Sequence, residues 1–302
     1  MKELLITGAW RCGEQQVQAL EQMGYAVTFW PDERQAVNMD TQRFEVVICG
    51  GLFLTTPIER FPALKCIQVT SAGLDRVPLD YCKAHGITVY NAGGVYSAPM
   101  AEFVLGGILQ LYKESKFFAE NQVAHRWEKH RGLRELSGKT ACIIGTGSVG
   151  SAIALRAFDV QTVGINRSGH PAAEFDQTQP TCRLDDLLPV ADLVICAMPL
   201  TAETAGLFDS VRIAKIKPGA VFVNVARGKV TDQQALVEAL QSGQLFGAVL
   251  DVFEEEPLPR SSPLWDMEQV ILTPHNSFVG EHNGERLFKC IKEHLYELSK
   301  EC

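Results

Sequence analysis

The segment richest in chemistry is Gly145-Thr146-Gly147-Ser148-Val149-Gly150, which follows the apolar run Ala141-Cys142-Ile143-Ile144 and opens a helical stretch from Ser151 to Phe158. Glycine in this setting lets the chain turn tightly, lets a ligand approach the backbone, and lets the next helix pack close. The helix N-terminus adds unpaired N–H groups and partial positive charge for a pyrophosphate. The next apolar run, Thr162-Val163-Gly164-Ile165, ends at Asn166, where a dinucleotide-binding chain reads the ribose. A carboxylate at that place accepts from the 2′-hydroxyl and repels a 2′-phosphate. Asn166-Arg167-Ser168 offers a guanidinium and a hydroxyl instead, with no carboxylate beside them, so the expected cofactor is NADP(H), with NAD(H) still admissible.

Two further polar side chains follow apolar runs directly. Arg227 comes after Val221 to Val225, and His275 after Val270-Ile271-Leu272. Open parallel sheets bind ligands beyond the carboxyl ends of their strands, so both stand where a ligand would be. The planar fork of arginine grips a carboxylate through two bonds, which nearby Lys229 cannot do. Histidine is the side chain suited to giving and taking a proton near neutral pH. The other histidines lie in polar or helical settings (His85, His125, His130, His282, His294) or on the loop after Arg167 (His170). The run Glu254-Glu255-Glu256, taken alone, is a solvated acidic face. No cluster of His, Cys and Asp has the spacing of metal ligands, and no metal is expected.

These residues need elements to hold them. Short apolar runs alternate with helical patterns from the start: Leu4 to Ile6, Gln15 to Met23, Ala26 to Phe29, Val46 to Cys49, Cys66 to Val69, Leu79 to Ala84 and Ile87 to Tyr90. A long helical stretch follows from about Pro99 to His125, in which Gly106 and Gly107 admit a close neighbour, and then a linker from Arg131 to Lys139. A second alternation supplies six strands, at 141–144, 162–165, 193–196, 221–225, 248–250 and 270–272. Strand and helix alternating at this spacing make parallel sheets covered on both faces. The expected fold is α/β with two doubly wound domains, a Rossmann cofactor domain inserted in a flavodoxin-like substrate domain. The substrate domain takes residues 1–95 plus 280–302, and the dinucleotide domain takes 96–279. The tail from Gly284 to Cys302 is one amphipathic helix that packs back on the first domain.

Composition narrows the partners. A chain of 302 residues suits two domains, and 46% apolar with 21% charged residues is ordinary for a globular protein. A formal net charge of -8, without a run of Lys and Arg, excludes a nucleic-acid surface. Nine cysteines are scattered and mostly sit inside apolar runs, as reduced core fillers do. Met1 to Ile6 runs into a strand without signal-peptide architecture, and no stretch of about 18 apolar residues occurs, so a cytoplasmic protein with no membrane partner is expected.

Several motifs in order resemble the D-isomer-specific 2-hydroxyacid dehydrogenases. They are Thr70 to Asp75, Ala101-Glu102, Leu136 to Thr140 before the glycine segment, Met198 to Thr204, Val225-Ala226-Arg227-Gly228, Asp251 to Pro257, and Thr273-Pro274-His275. The resemblance implies an NAD(P)-dependent reduction of a 2-keto acid, with Arg227, Glu256 and His275 catalytic. Ketone reduction by hydride puts negative charge on oxygen, which His275 would quench with a proton while Glu256 holds the other ring nitrogen. It further implies that backbone N–H groups of Gly51, Leu52, Ala72 and Gly73 bind the substrate carboxylate with Arg227, and that Ser277 lies near the substrate. Met198, Pro199, Thr204, Val225 and Ala226 would line the cofactor, with Asp251 on the nicotinamide side. The long helix would lie at a homodimer interface.

Two positions depart from the family: Asp159 stands where it has glycine, which changes a turn, and Asn276-Ser277 replaces a small apolar pair. The NADP-like segment and the lack of a regulatory C-terminal domain resemble glyoxylate/hydroxypyruvate reductases more than phosphoglycerate dehydrogenases. A cofactor-sensing protein on the same fold is the rival of another class, and the chain has no tail or charged arm to serve it. Formate chemistry, which pairs its histidine with glutamine, is disfavoured by Glu256.

Overall fold

The structure, a computed structural model describing residues 1–153 and 158–300, separates into two compact units, Met1–Tyr96 with Gly280–Cys302 and Ser97–Val279. In the first unit β1 (Lys2–Thr7), β2 (Tyr25–Trp30), β3 (Val46–Cys49), β4 (Cys66–Val69) and β5 (Thr88–Tyr90) form one parallel sheet in the order β2-β1-β3-β4-β5. This is the flavodoxin-like order, whose direction reverses between β1 and β3. Every residue of β3 and β4 is buried, as strands covered on both faces must be. Helix α1 (Glu14–Gln22) precedes β2, α2 (Leu79–Ala84) precedes β5, and α9 (Asn283–Lys300) closes the unit. Leu287, Ile291, Leu295 and Leu298 of α9 recur at helical spacing and pack with Leu4, Ile6, Val46 and Ile48. The Nδ1 of His294 in α9 lies 2.7 Å from Gln68 Oε1, and its ring stacks on Tyr90, which gives that histidine a structural role.

The second unit holds seven parallel strands: β6 (Thr140–Ile144), β7 (Gln161–Asn166), β8 (Gln177–Pro180), β9 (Leu193–Cys196), β10 (Val221–Asn224), β11 (Gly247–Leu250) and β12 (Val270–Leu272). Their order, β12-β11-β10-β9-β6-β7-β8, is that of a Rossmann sheet extended by one strand. Helices α3 (Ser97–Tyr112), α4 (Ser115–Val123), α5 (Ser148–Ala152), α6 (Leu184–Leu187), α7 (Ser210–Lys215) and α8 (Gln233–Gln241) complete the unit. Asp209 and Asp232 cap α7 and α8 by accepting from the Arg212 and Ala235 N–H groups at 2.9 and 3.0 Å.

The seventh strand was not expected. β8 reads Gln-Thr-Gln-Pro and sits at the sheet edge, where one face and one backbone edge meet water, so no apolar pattern marks it. The single helix expected from Pro99 to His125 is two helices. The chain breaks at Glu114, which takes φ 51°, a left-handed conformation that costs a non-glycine about 1–2 kcal/mol. The break coincides with a change of surroundings: α3 buries Val104, Ile108, Leu111 and Tyr112, whereas α4 buries only Asn121. Gly107 earns its place because a Cβ there would stand 2.6 Å from Val249 Cγ1, whereas Gly106 has nothing within 4 Å. Asp159 has φ 57°, in the left-handed region that favours glycine.

The helix expected to run on to Phe158 falls on residues 154–157, and Cys302 ends the chain; both lie outside the described residues. Cys49, Cys66, Cys82, Cys142 and Cys196 are buried and reduced, and burial pushes the Cys142 thiol up to about 12. Cys182 is exposed, so the reading of the cysteines as core fillers does not extend to it. Among the described residues no helix is long and apolar enough to cross a membrane.

Candidate active site

The carboxyl ends of the strands of the second sheet gather the expected residues of that unit. β6 delivers the glycine segment. Gly145 takes φ 108°, and a Cβ on it would lie 2.7 Å from the Ala197 carbonyl oxygen. A Cβ on Gly150 would lie 1.8 Å from the Gly145 oxygen, so only glycine lets α5 pack this close to the turn. Gly147, between them, has nothing within 4 Å. One glycine turns the chain, one packs the helix, and one is left open, as a loop that receives a pyrophosphate requires. The residues present therefore fit a dinucleotide.

Asn166 ends β7, but its carboxamide is used within the protein. Oδ1 accepts from the Gly169 and His170 N–H groups at 2.7 and 3.1 Å, while Nδ2 donates to Thr146 Oγ1 at 3.2 Å and to the His170 carbonyl at 2.8 Å. Asn166 thus builds the 166–170 turn and ties it to the glycine segment. That turn presents Arg167 and Ser168 outward, and Ser168 Oγ lies 3.2 Å from His170 Nδ1. Glu203 is held below the ordinary carboxylate range first by a hydrogen bond from the Thr201 hydroxyl at 2.7 Å and, least, by the Arg167 charge. Thirty-six residues separate the two in sequence, so no local pattern announces the approach.

β9 leads into Met198, which is buried, and Pro199, whose carbonyl accepts from the Thr204 hydroxyl at 2.7 Å, while Thr204 Oγ1 itself accepts from the Thr201 N–H at 2.7 Å. Thr204 therefore shapes the 199–204 turn. β10 leads into buried Val225 and Ala226, then half-buried Arg227, whose Nη1 donates to the Ala226 carbonyl at 2.8 Å. Asn224 braces this bend by accepting from the Ala226 N–H at 3.0 Å and donating to the Arg227 carbonyl at 3.1 Å. Gly228 is a contact the sequence reading did not weigh. A Cβ there would stand 1.9 Å from the Phe253 carbonyl, so the Arg227 bend and the segment leading to Glu256 touch backbone to backbone.

β12 delivers His275, whose Nδ1 lies 2.8 Å from Glu256 Oε2. The two side chains are 32% and 37% exposed, open enough to meet a ligand. Glu256 Oε1 accepts from the Phe253 N–H at 3.1 Å, which fixes the carboxylate that orients the ring. The Phe278 ring stands edge-on to the imidazole at 6.3 Å between centroids. His275 itself takes φ 53°.

Asp251, expected on the nicotinamide side, is 1% exposed and spends its carboxylate on the turn that carries His275. Oδ1 accepts from the Thr273 hydroxyl and the Asn276 N–H, both at 2.6 Å, and Oδ2 accepts from the Ser277 N–H at 3.0 Å. Its carbonyl accepts from the His275 N–H at 2.8 Å. Asp251 is a positioning residue by this geometry. Ser277, expected near the substrate, is buried beneath the same turn.

In the first unit four amides, of Gly51, Leu52, Ala72 and Gly73, are expected to receive a substrate carboxylate. The Gly51 N–H donates to Glu33 Oε1 at 2.6 Å. The Ala72 and Gly73 carbonyls accept from Asn91 Nδ2 at 2.8 Å and Ser71 Oγ at 2.9 Å, while their N–H groups meet no acceptor among the described residues. Among the described residues no group of His, Cys, Asp and Glu could hold a metal ion.

A Rossmann sheet with the three-glycine turn at its first strand and a histidine–carboxylate pair at its last defines a nicotinamide-dependent oxidoreductase. Residues 105–277 match the family described as "D-isomer specific 2-hydroxyacid dehydrogenase, NAD binding domain". Over 247 residues, 80% of this chain and 76% of the relative, the sequence is 34% identical to glyoxylate/hydroxypyruvate reductase B of Salmonella newport. A D-isomer specific 2-hydroxyacid dehydrogenase family protein from Aeromonas salmonicida superposes with TM-score 0.81 at 29% identity, over 99% of this chain and 96% of that one. The D-isomer specific 2-hydroxyacid dehydrogenase from Xanthobacter autotrophicus Py2, solved with NADPH and MES, gives 0.78 at 28% identity over 96% and 93%. The chain belongs to the D-isomer-specific 2-hydroxyacid dehydrogenase family and is an NAD(P)-dependent oxidoreductase.

Proposed function

We propose that this enzyme reduces a short 2-keto acid, glyoxylate or hydroxypyruvate, to the D-2-hydroxy acid, with NADPH as its favoured reductant. The observation that carries the reading is the 2.8 Å pair of His275 Nδ1 and Glu256 Oε2 at the carboxyl end of β12. With Nδ1 committed to the carboxylate, Nε2 is the nitrogen that gives the proton. The cofactor, when bound, supplies the hydride to the carbonyl carbon. The proton leaves Nε2 for the carbonyl oxygen as that oxygen gains charge, and the imidazole is left neutral on Glu256. Arg227 grips the substrate carboxylate through its fork and polarises the adjacent carbonyl. In the first unit, the amide groups of Ala72 and Gly73 are the carboxylate ligands.

Arg167 and Ser168 support the preference for a 2′-phosphate, and a relative at 28% identity was solved with NADPH. The substrate class follows the reductase relatives at 34% identity. We also assign a homodimer through α3, α4 and the segment after them, where Phe118, Val123 and Trp127 are exposed; a monomer by light scattering contradicts it.

The test is loss of reduced-nicotinamide absorbance with NADPH and with NADH against glyoxylate, hydroxypyruvate, pyruvate, phenylpyruvate and phosphohydroxypyruvate. Fastest turnover of NADPH with glyoxylate or hydroxypyruvate is expected. A higher kcat/KM with NADH overturns the cofactor preference. Best turnover of phosphohydroxypyruvate overturns the substrate assignment.

A further inference from the structure

The Glu33 carboxylate occupies a place where an anionic ligand would fit. Thr7 ends β1, and Gly50 and Gly51 follow β3, so these residues flank the point where the strand order of the first sheet reverses. Flavodoxin-like sheets take their ligands at that crevice. Two consecutive buried N–H groups and a hydroxyl converging there make an anion-binding concavity. Glu33 fills it: Oε2 accepts from Thr7 Oγ1 at 2.7 Å and from the Gly50 N–H at 2.9 Å, and Oε1 accepts from the Gly51 N–H at 2.6 Å. The Glu33 carbonyl also accepts from Thr55 Oγ1 at 2.8 Å, which fixes the backbone that carries the side chain. Glycine at 50 is needed for the fit, since a Cβ there would lie 2.9 Å from Glu33 Oε1 and 3.3 Å from Thr70 Oγ1.

The loop beside this carboxylate is the one with free amides. β3 and β4 are adjacent strands, so Gly50-Gly51 runs next to Thr70 to Gly73, and Thr70 donates its N–H to the Cys49 carbonyl at 2.8 Å. A substrate held by its carboxylate at Ala72 and Gly73 therefore lies on the loop next to Gly50-Gly51. A second anionic group reaching that loop finds the Gly50 and Gly51 amides taken by Glu33 and meets a like charge. Like charges at close range near a protein surface repel strongly because water screens them only in part.

We propose that Glu33 is a built-in anion that occupies the switch-point amides of the first unit and restricts the enzyme to 2-keto acids without a second anionic group. The inference rests on the proposed 2-keto acid reduction, and it deepens that reading by excluding dicarboxylic and phosphorylated substrates. Removing the carboxylate vacates two amides and a hydroxyl that a small anion in solution can fill.

The experiment has two readouts, the first independent of catalysis. Thermal midpoints of the wild-type protein, Glu33→Ala and Glu33→Gln are recorded against acetate and inorganic phosphate, with chloride at matched ionic strength as control. The expected result is a saturable rise of the Glu33→Ala midpoint with acetate or phosphate and no such rise in the wild type. Equal responses in the two proteins overturn the proposal, whatever the enzyme reduces. The second readout is kcat/KM for oxaloacetate relative to glyoxylate, expected to rise at least about tenfold in Glu33→Gln, which keeps the shape and removes the charge. An unchanged ratio overturns the proposal even where anions bind. Should Glu33→Ala not fold, the kcat/KM ratio in Glu33→Gln decides it. A wild-type protein that reduces no 2-keto acid refutes the proposed function itself, and the anion titration shows that failure separately.

Discussion

Asp251→Asn separates two roles for a buried carboxylate. Asparagine keeps one acceptor oxygen, which can still take the Thr273 hydroxyl and the Asn276 N–H, both at 2.6 Å. Its other atom becomes an NH2 that confronts the Ser277 N–H, which now donates to Oδ2 at 3.0 Å. One charge-assisted hydrogen bond is lost, worth about 1.5–3 kcal/mol, and the two that remain lose their charge. Against this stands the strain of His275 at φ 53°, about 1–3 kcal/mol for a non-glycine held in that region. The loss is of the same order as the strain it had offset, so the turn relaxes and the imidazole leaves its 2.8 Å register with Glu256. The expected result is a kcat lower by about 10- to 100-fold with a dissociation constant for NADPH changed less than about threefold. Steady-state turnover and cofactor titration by fluorescence measure the two. A kcat within about twofold of wild type refutes the positioning argument. A cofactor affinity that falls as much as kcat shows instead that Asp251 acts on the nicotinamide.

Other perturbations follow from the same geometry. Gly147→Ala, placed in open space, leaves the melting temperature unchanged and weakens NADPH binding, whereas Gly150→Ala, with its Cβ 1.8 Å from the Gly145 oxygen, lowers the melting temperature; equal melting temperatures contradict the division of labour between the glycines. Arg227→Lys removes the fork and costs about 10- to 100-fold in kcat/KM for a 2-keto acid, measured with saturating NADPH. Asp192 takes Lys217 Nζ at 2.7 Å and the Thr140 N–H at 3.0 Å. Burial alone would raise its pKa, but these partners outweigh burial and leave it below its usual 3.8. A lowered folded value means that its contribution is complete above the unfolded value and is lost as pH falls through the folded one. Asp192→Asn therefore lowers the melting temperature at pH 7, and the difference from wild type narrows below about pH 4.

Much of this arrangement is legible in the sequence because spacing encodes it. Glycines at 145, 147 and 150 after an apolar run state that a turn, an open backbone and a close helix are needed, and each has that surrounding. Buried parallel strands announce themselves as continuous apolar runs, so β3, β4, β9 and β10 are plain from their residues. β8 is not, because an edge strand of Gln, Thr and Pro owes its place to pairing with β7. Glu114 breaks the long helix with no glycine or proline to mark it. The resemblance sets Asp251 on the nicotinamide side, while the partners of its carboxylate come from residues 22 to 26 positions later, which no local pattern announces. Glu33 and Glu203 sit in polar surface stretches and acquire meaning only through loops brought beside them. Local pattern reports what a backbone must do, and long-range pairing decides what a carboxylate is for.

The central claim is that His275 is the proton donor in a nicotinamide-dependent reduction of a 2-keto acid. The most direct measurement is NADPH oxidation with glyoxylate and hydroxypyruvate by the wild-type protein and by His275→Gln, with cofactor binding followed by fluorescence in both. Turnover lower by about 10²- to 10⁴-fold with NADPH affinity retained is the predicted result. Turnover in His275→Gln within a few-fold of wild type contradicts it.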